Sequence, residues 1–292
     1  MFLQQLFNGI ALGSTYALVA IGYSLVFGVL RIINFANGAL YMLGAYLVFV
    51  LFSAMHGHLA AAIVLSLLAT AGLGFCVDFI GLRKLRRDNA PKMSGLISTM
   101  GIATVIENAI QIWIGTETKQ FPNFLYIGRV RIGGAIVSST QIFVFLISLA
   151  LMAIFSLVVY KTKIGRSMRA VSQNLTTAQL MGINVKLVIS GTFMVSGLLA
   201  AVAGTLVGSY YQAIDTLMSS SVGMKTFAAA GLGGVGSLPG AMVGGLLVGV
   251  AESIGASYIS SGYRDAIAFA ILVAVILIKP SGIFGKKIVE KM

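Results

Sequence analysis

The chain holds only eight acidic residues in 292, and the one best placed for chemistry is Glu107. It lies in ISTMGIATVIENAIQIWIG, where Thr104, Glu107, Asn108 and Gln111 are spaced 3, 1 and 3 and so share one helical face. A carboxylate within an apolar run is costly to expose to hydrocarbon, so it faces a cavity or a protein partner. The four residues therefore read either as the polar lining of a solute path or as a clamp that hydrogen-bonds a neighbouring helix. Asn34 and Asn37, at an interruption between two apolar runs, carry the same pair of readings: caps for helix ends, or amides offered to a solute. Glu252 follows a second interruption and suits a buried partner. Asp215 reads as a solvated helix end. Asn8, Thr15 and Gln4 form a weaker polar stripe of the kind that joins helices.

Catalytic constellations are not spelled out. His56 and His58 sit two apart without a third ligand nearby, which argues against a metal site. No G-x-x-x-x-G-K-[ST] cradle occurs, and the Gly231–Gly240 stretch lacks the lysine that such a loop needs. Both histidines share one short link, so no Ser/His/Asp or Cys/His set forms at membrane depth. The lone Cys76 leaves no intrachain disulfide and no thiolate cage. Neither a cofactor nor intrinsic catalysis is expected.

The elements that must position these residues are membrane helices. Hydrophobic residues make up 58% of the chain, charged ones 10%, and mean hydropathy is +0.97; a soluble domain has about a quarter of its residues charged. Thirty-five glycines fit close helix packing in lipid. Apolar runs cover residues 2–33, 39–52, 59–82, 95–114, 141–160, 187–211, a glycine-rich 223–249 broken at Gly231–Gly240, and 266–278. The expected fold is an all-α polytopic membrane protein with about eight transmembrane helices and a discontinuous or re-entrant glycine-rich segment. The first run has no basic leader or A-x-A-like cleavage site, so it reads as a helix that stays in place. Asn37-Gly38-Ala39-Leu40 and Pro239-Gly240-Ala241-Met242, each at a break, form a faint internal echo.

The net charge of +12 is distributed as a membrane protein distributes it. Basic residues cluster at Arg83–Lys92, at Lys161–Lys186 and in the tail after Lys279, and with Arg31 they place fifteen of the twenty on one side. That side is cytoplasmic by the positive-inside rule, residues 115–139 form an extracytoplasmic loop with short strands around Tyr126–Ile132, and the N-terminus lies outside. No basic face with interleaved aromatics appears, which excludes a nucleic-acid partner. The 161–186 segment reads as an amphipathic loop. Ser172-Gln173-Asn174 supplies an N-cap region, Thr176–Met181 a helix of one to two turns, and Gly182 a C-cap. Such an element rests on lipid headgroups or docks in a partner's groove.

Thr177-Ala178 with Gly182 is similar to the EAA-x-x-x-G loop of ABC-importer permeases, although Thr176 and Thr177 replace the Glu and first Ala and the later Ile-x-Leu-Pro is missing. Longer stretches extend the likeness over essentially the whole chain: NFANGALYMLGAY, IGRSMRAVSQNLTTAQLMGINV, AAAGLGGVGSLPGAMVGGLLVGVAES and KPSGIFG. On these the chain resembles the LivH-type branched-chain amino-acid permeases of ABC transporters. Two positions depart from that pattern: Asn37 stands in place of a usual histidine, and Ala230-Gly231 in place of a bulkier apolar pair. The resemblance implies one transmembrane permease domain over residues 1–292 in the inner membrane. It implies a LivM-like sister permease, two cytoplasmic ATPases and an extracytoplasmic solute-binding protein as partners. Gly165, Arg166, Arg169, Ala178 and Gly182 would then couple to the ATPases, and Asn34, Asn37, Thr104, Glu107, Asn108 and Gln111 would line the path. Relatives in the wider family carry urea, short amides or sugars. The rival class is a stand-alone secondary transporter that uses Glu107 and Glu252 as ion sites.

Overall fold

A computed structural model describes residues 2–285 other than 89, 123, 126, 133–134, 259 and 280–281. Lys286, Lys287 and Lys291, the Pro280-Ser281 pair and Gly133-Gly134 lie outside the described residues. The protein is a helical bundle. Seven helices are long and apolar enough to cross a membrane: α1 (Phe2–Leu30), α2 (Ala36–Ala54), the continuous helix Leu59–Arg87, α5 (Lys92–Ile114), α6 (Ser139–Lys161), α9 (Val185–Tyr211) and α11 (Leu238–Tyr258). The helix Leu59–Arg87 comprises α3 (Leu59–Cys76), a π-turn at Val77–Leu82 and α4 (Arg83–Arg87). Two further helices, α10 (Met218–Gly233) and α12 (Arg264–Ile278), have 16 and 15 residues, fewer than the roughly 20 that span a bilayer upright. The expected count of about eight thus resolves into seven full spans and two shorter pieces. The glycine-rich stretch splits into α10 and α11, and the last run forms α12, which ends at Ile278 where the apolar run ends.

Helix α1 is the hub: 89% of its apolar window is buried, against 11% in α5 and 22% in α6. Its burial follows from its small residues. Gly9, Gly13 and Ala17 recur every fourth position and meet Gly245, Leu246, Gly249 and Val250 of α11 backbone to backbone; a Cβ on Gly13 or Gly249 would strike the backbone of the facing helix. Small residues at this spacing let dispersion contacts hold two helices together where lipid gives no hydrophobic drive. Helices α2 and α9 interlock the same way, with Gly44 against Ala201 and Gly204 against Tyr41.

The break between α10 and α11 lies at 234–237, within the expected interval. Gly234 (φ +101°) and Gly236 (φ +89°) adopt left-handed backbone that only glycine takes without strain. The carbonyls freed at the end of α10 are then recovered by the tail. Ile283 N–H donates to Leu232 O at 2.9 Å and Phe284 N–H to Gly233 O at 3.0 Å. That satisfies carbonyls which the end of the helix would otherwise leave unpaired.

The two ends of the bundle differ. Arg31 shares one concavity with Tyr160, Ser172 and Gln173, and Arg83–Arg87 share another with Leu175 and Lys186, so the basic segments gather at one end. At the other end β1 (Lys119–Gln120) pairs antiparallel with β4 (Ala213–Ile214). There too β2 (Arg129–Ile132) forms a hairpin with β3 (Ala135–Ser138), Val130 opposite Val137. The strand expected around Tyr126–Ile132 is Arg129–Ile132, with Tyr126 itself outside the described residues. Gln4 at the start of α1 both donates to and accepts from Ile136 at 2.8 Å, placing the amino-terminal end of α1 beside that hairpin.

Candidate functional site

Helices α5 and α10, both packed on α2, flank a groove of about 300 Å3. Helix α10 starts where Asp215 Oδ1 accepts the Met218 N–H at 2.9 Å, a cap for an otherwise unpaired donor. Asp215 is half-buried in that role rather than merely solvated. In the first turn of α10, Ser219 Oγ donates to Glu107 Oε1 at 2.5 Å, fixing the carboxylate at the edge of the groove. Phe35, Met100 and Met224 supply apolar wall, while Thr104 and Ser220 add hydroxyls. The back is aromatic: Tyr23 donates to Gly223 O at 3.3 Å, and Phe227 contacts both Tyr23 and Phe35 at ring distances of 6.1 and 5.7 Å. A half-buried carboxylate beside an apolar wall can accept hydrogen bonds from an ammonium whose side chain lies on the wall.

The six path candidates separate. Thr104 and Glu107 line the groove. Asn108 is exposed and donates to Thr104 O at 2.8 Å, folded onto its own helix. Gln111 reaches Thr216 Oγ1 at 3.5 Å, a second and longer tie from α5 to the start of α10. Asn34 and Asn37 are buried away from the groove surface. Asn34 Oδ1 accepts the Ala36 N–H at 3.2 Å, an Asx turn that starts α2. Asn37 donates to Val19 O at 3.3 Å and accepts from Ser196 Oγ at 2.8 Å, so it joins α1, α2 and α9. Between them Phe35 is held in the groove wall.

Two polar clusters escaped the sequence. Lys225, which the charge count assigned to the outer side, sits instead in the middle of α10. It is buried with Glu252 of α11 at 3.1 Å and meets Asp265 of α12 at 2.6 Å. Opposite charges inside separate small-residue runs were the available signal. Asp78, wholly buried in the π-turn, pairs with Arg86 at 2.5 Å and accepts from Ser190 Oγ at 2.6 Å, binding that turn to α9. Among the described residues no group of His, Cys, Asp or Glu gathers in the number a metal ion requires.

The 161–186 segment folds as two helices where one was expected: α7 (Lys163–Gln173) and α8 (Leu175–Leu180). Thr162 caps α7 by accepting the Gly165 N–H at 3.3 Å, and Gly165, Met168 and Val171 form its buried stripe. Gly165 lies so close to the Val159 backbone that no Cβ fits, and Arg169 donates to Val159 O. Arg166 points outward. Asn174 caps α8 through the Thr177 N–H at 3.0 Å, as its residue type suggests. Gly182 (φ +81°) closes it: Gly182 N–H reaches Gln179 O and Ile183 N–H reaches Ala178 O, both at 3.1 Å, a Schellman motif. Ala178 is buried, while Leu180 and Met181 are 84% and 78% exposed.

Residues 5–276 match the family described as branched-chain amino acid transport system / permease component. The chain is 38% identical to the high-affinity branched-chain amino acid transport system permease protein BraD of Pseudomonas aeruginosa, over 100% of this chain and 98% of the relative. It is 37% identical, with the same coverage, to the corresponding permease LivH of Escherichia coli strain K12. A probable branched-chain amino acid transport permease of Methanocaldococcus jannaschii is 29% identical over 92% of this chain and 88% of its own. No solved structure matches the chain.

Proposed function

From the premise that the chain belongs to the family of branched-chain amino acid transport system permease components, we propose that it carries branched-chain, aliphatic amino acids across the inner membrane as one transmembrane subunit of an ATP-binding-cassette importer. ATP hydrolysis resides in two separate cytoplasmic subunits, an extracytoplasmic binding protein delivers the solute, and a sister permease completes the path. Residues 1–292 act as a single permease domain, with 115–139 outside and 161–186 inside.

One observation carries this reading. Helix α5 is only 11% buried over its apolar window, yet the face it leaves open bears Thr104, Asn108 and half-buried Glu107. Lipid disfavours such a face, so a second protein chain covers it, and the groove becomes a path only against that chain. Glu107 then meets the substrate ammonium, and Phe35, Met100 and Met224 meet its aliphatic side chain. Asn108 and Gln111 continue the polar face, while Asn34 and Asn37 hold Phe35 in place.

Coupling runs through α7 and α8. Gly165 and Arg169 bind α7 to the end of α6, and Ala178 and Gly182 fix α8, so Leu180 and Met181 are presented on a rigid support to a groove in the ATPase with Arg166 beside it. Nucleotide shifts the outward–inward equilibrium because the ATPases bind it unequally in the two states.

Uptake by the reconstituted complex with its binding protein, challenged with leucine, urea and short amides, tests the substrate. Leucine uptake that needs ATP and ignores a protonophore supports the proposal; uptake driven by a proton gradient without ATP refutes it in favour of a secondary transporter. Gly182→Val forces a β-branched residue into left-handed backbone, and Ala178→Asp buries a charge. Each is expected to release the ATPases on purification while the chain stays inserted; normal co-purification and transport would remove the coupling assignment.

A further inference from the structure

Arg83, Lys84, Arg86 and Arg87 leave the spanning helix through the π-turn, while Leu175, Gln179 and Lys186 approach from α8 and the start of α9. Between the two sets lies a hollow of about 600 Å3. Two of its arginines are already neutralised: Arg86 by buried Asp78 at 2.5 Å, and Arg87 by Asp88 at 3.3 Å. Arg83, Lys84 and Lys186 have no ion-pair partner among the described residues. The Arg83 guanidinium lies 5.1 Å from the Phe79 ring centre, which orients it and leaves its charge in place. Three uncompensated cations around one concavity concentrate anions there.

The hollow is continuous with a membrane-facing surface. Up the same helix, Leu68, Phe75 and Phe79 are 63%, 38% and 50% exposed on one face. Phe75 and Phe79 stack at 5.8 Å, and Gly72 leaves open space above its backbone between Leu68 and Phe75. A free phosphate would satisfy the cations alone, and an acidic peptide would leave the apolar stripe unmatched. A molecule with an anionic head and a hydrocarbon tail satisfies both. We propose that this hollow binds the headgroup of an anionic phospholipid, with an acyl chain laid along Leu68, Phe75 and Phe79. Leu175 and Gln179 of α8 form part of the wall, whereas Leu180 and Met181 lie on another, exposed side of that helix. The lipid therefore braces α8 against the spanning helix without occupying its outer face.

The test is native mass spectrometry of the full chain with its partner subunits, released from nanodiscs of phosphatidylcholine containing increasing phosphatidylglycerol. Wild type is expected to retain phosphatidylglycerol selectively. Arg83→Gln with Lys186→Gln lowers that retention about thirtyfold, two basic contributions at an anionic surface. Arg83→Lys keeps most of it, and Arg129→Gln with Arg131→Gln in the opposite hairpin changes nothing. If the double variant does not assemble, Lys84→Gln alone, at an exposed position, lowers retention about fivefold. Unchanged retention in these variants overturns the proposal. So does displacement of the lipid by added inorganic phosphate, which would mark a plain anion site. Loss of the ATPases with lipid retention intact would instead assign the hollow to an acidic protein surface.

Discussion

Glu252 and Glu107 are both carboxylates at membrane depth, and their surroundings are opposite. Glu252 is 2% exposed, shares Lys225 with Asp265, and lies among helices whose backbones nearly touch. Glu107 has a serine hydroxyl for a partner and stands at the rim of an open groove. A buried carboxylate that has its own cation is already answered within the chain; one held by a hydroxyl can still receive a cationic ligand. The first belongs to the architecture and the second to transport, although the sequence places both in similar apolar runs.

Breaking the buried pair should have the largest effect. Lys225→Met leaves the buried Glu252 without its cation and is expected to destabilise the protein by about 3–5 kcal/mol. Thermal unfolding in detergent would show it, with Lys225→Met plus Glu252→Leu recovering much of the loss. Glu107→Gln keeps the Ser219 hydrogen bond and should leave the unfolding temperature nearly unchanged. Leucine uptake by the reconstituted complex should nonetheless fall about tenfold or more, because a charge-assisted hydrogen bond contributes roughly 1.5–3 kcal/mol. A stability loss in Glu107→Gln as large as that of Lys225→Met would erase the distinction. The smallest effect is expected from Asp265→Asn. Its side chain is 54% exposed, so weakening this half of the shared pair costs about 1 kcal/mol or less, read as a small shift in unfolding temperature with uptake preserved.

Much of this was written openly in the sequence. Long uncharged runs predict the spans because hydrocarbon tolerates little else. The breaks at 31–35, slightly earlier than the expected Asn34–Gly38 because Asn37 and Gly38 fall inside α2, and at 234–237 show through an Asx turn and through glycines with positive φ, both local effects. Thr104, Glu107 and Gln111 are legible as one face because helical spacing alone puts them there. The failures have a common cause. The charge count leaves Lys225 on the outer side because nothing local to the glycine-rich run 223–249 signals that Glu252 and Asp265 stand opposite it. Asp78 escaped for the same reason, and its π-turn has no residue signature. The burial of Asn37 depends on Val19 and Ser196, which no local pattern links to it. Helix α7 hid in a segment read as loop, although Gly165, Met168 and Val171 recur at helical spacing.

The seam between α1 and α11 also constrains how the protein is made. Ser253 donates to Gln5 O across a sequence separation of 248. Helix α1 leaves the ribosome long before α11 and therefore waits for the intervening helices before its notched side is filled. Until then the bare glycines of α1 face lipid or an insertion factor, and assembly must close by zipping this early segment to one made much later.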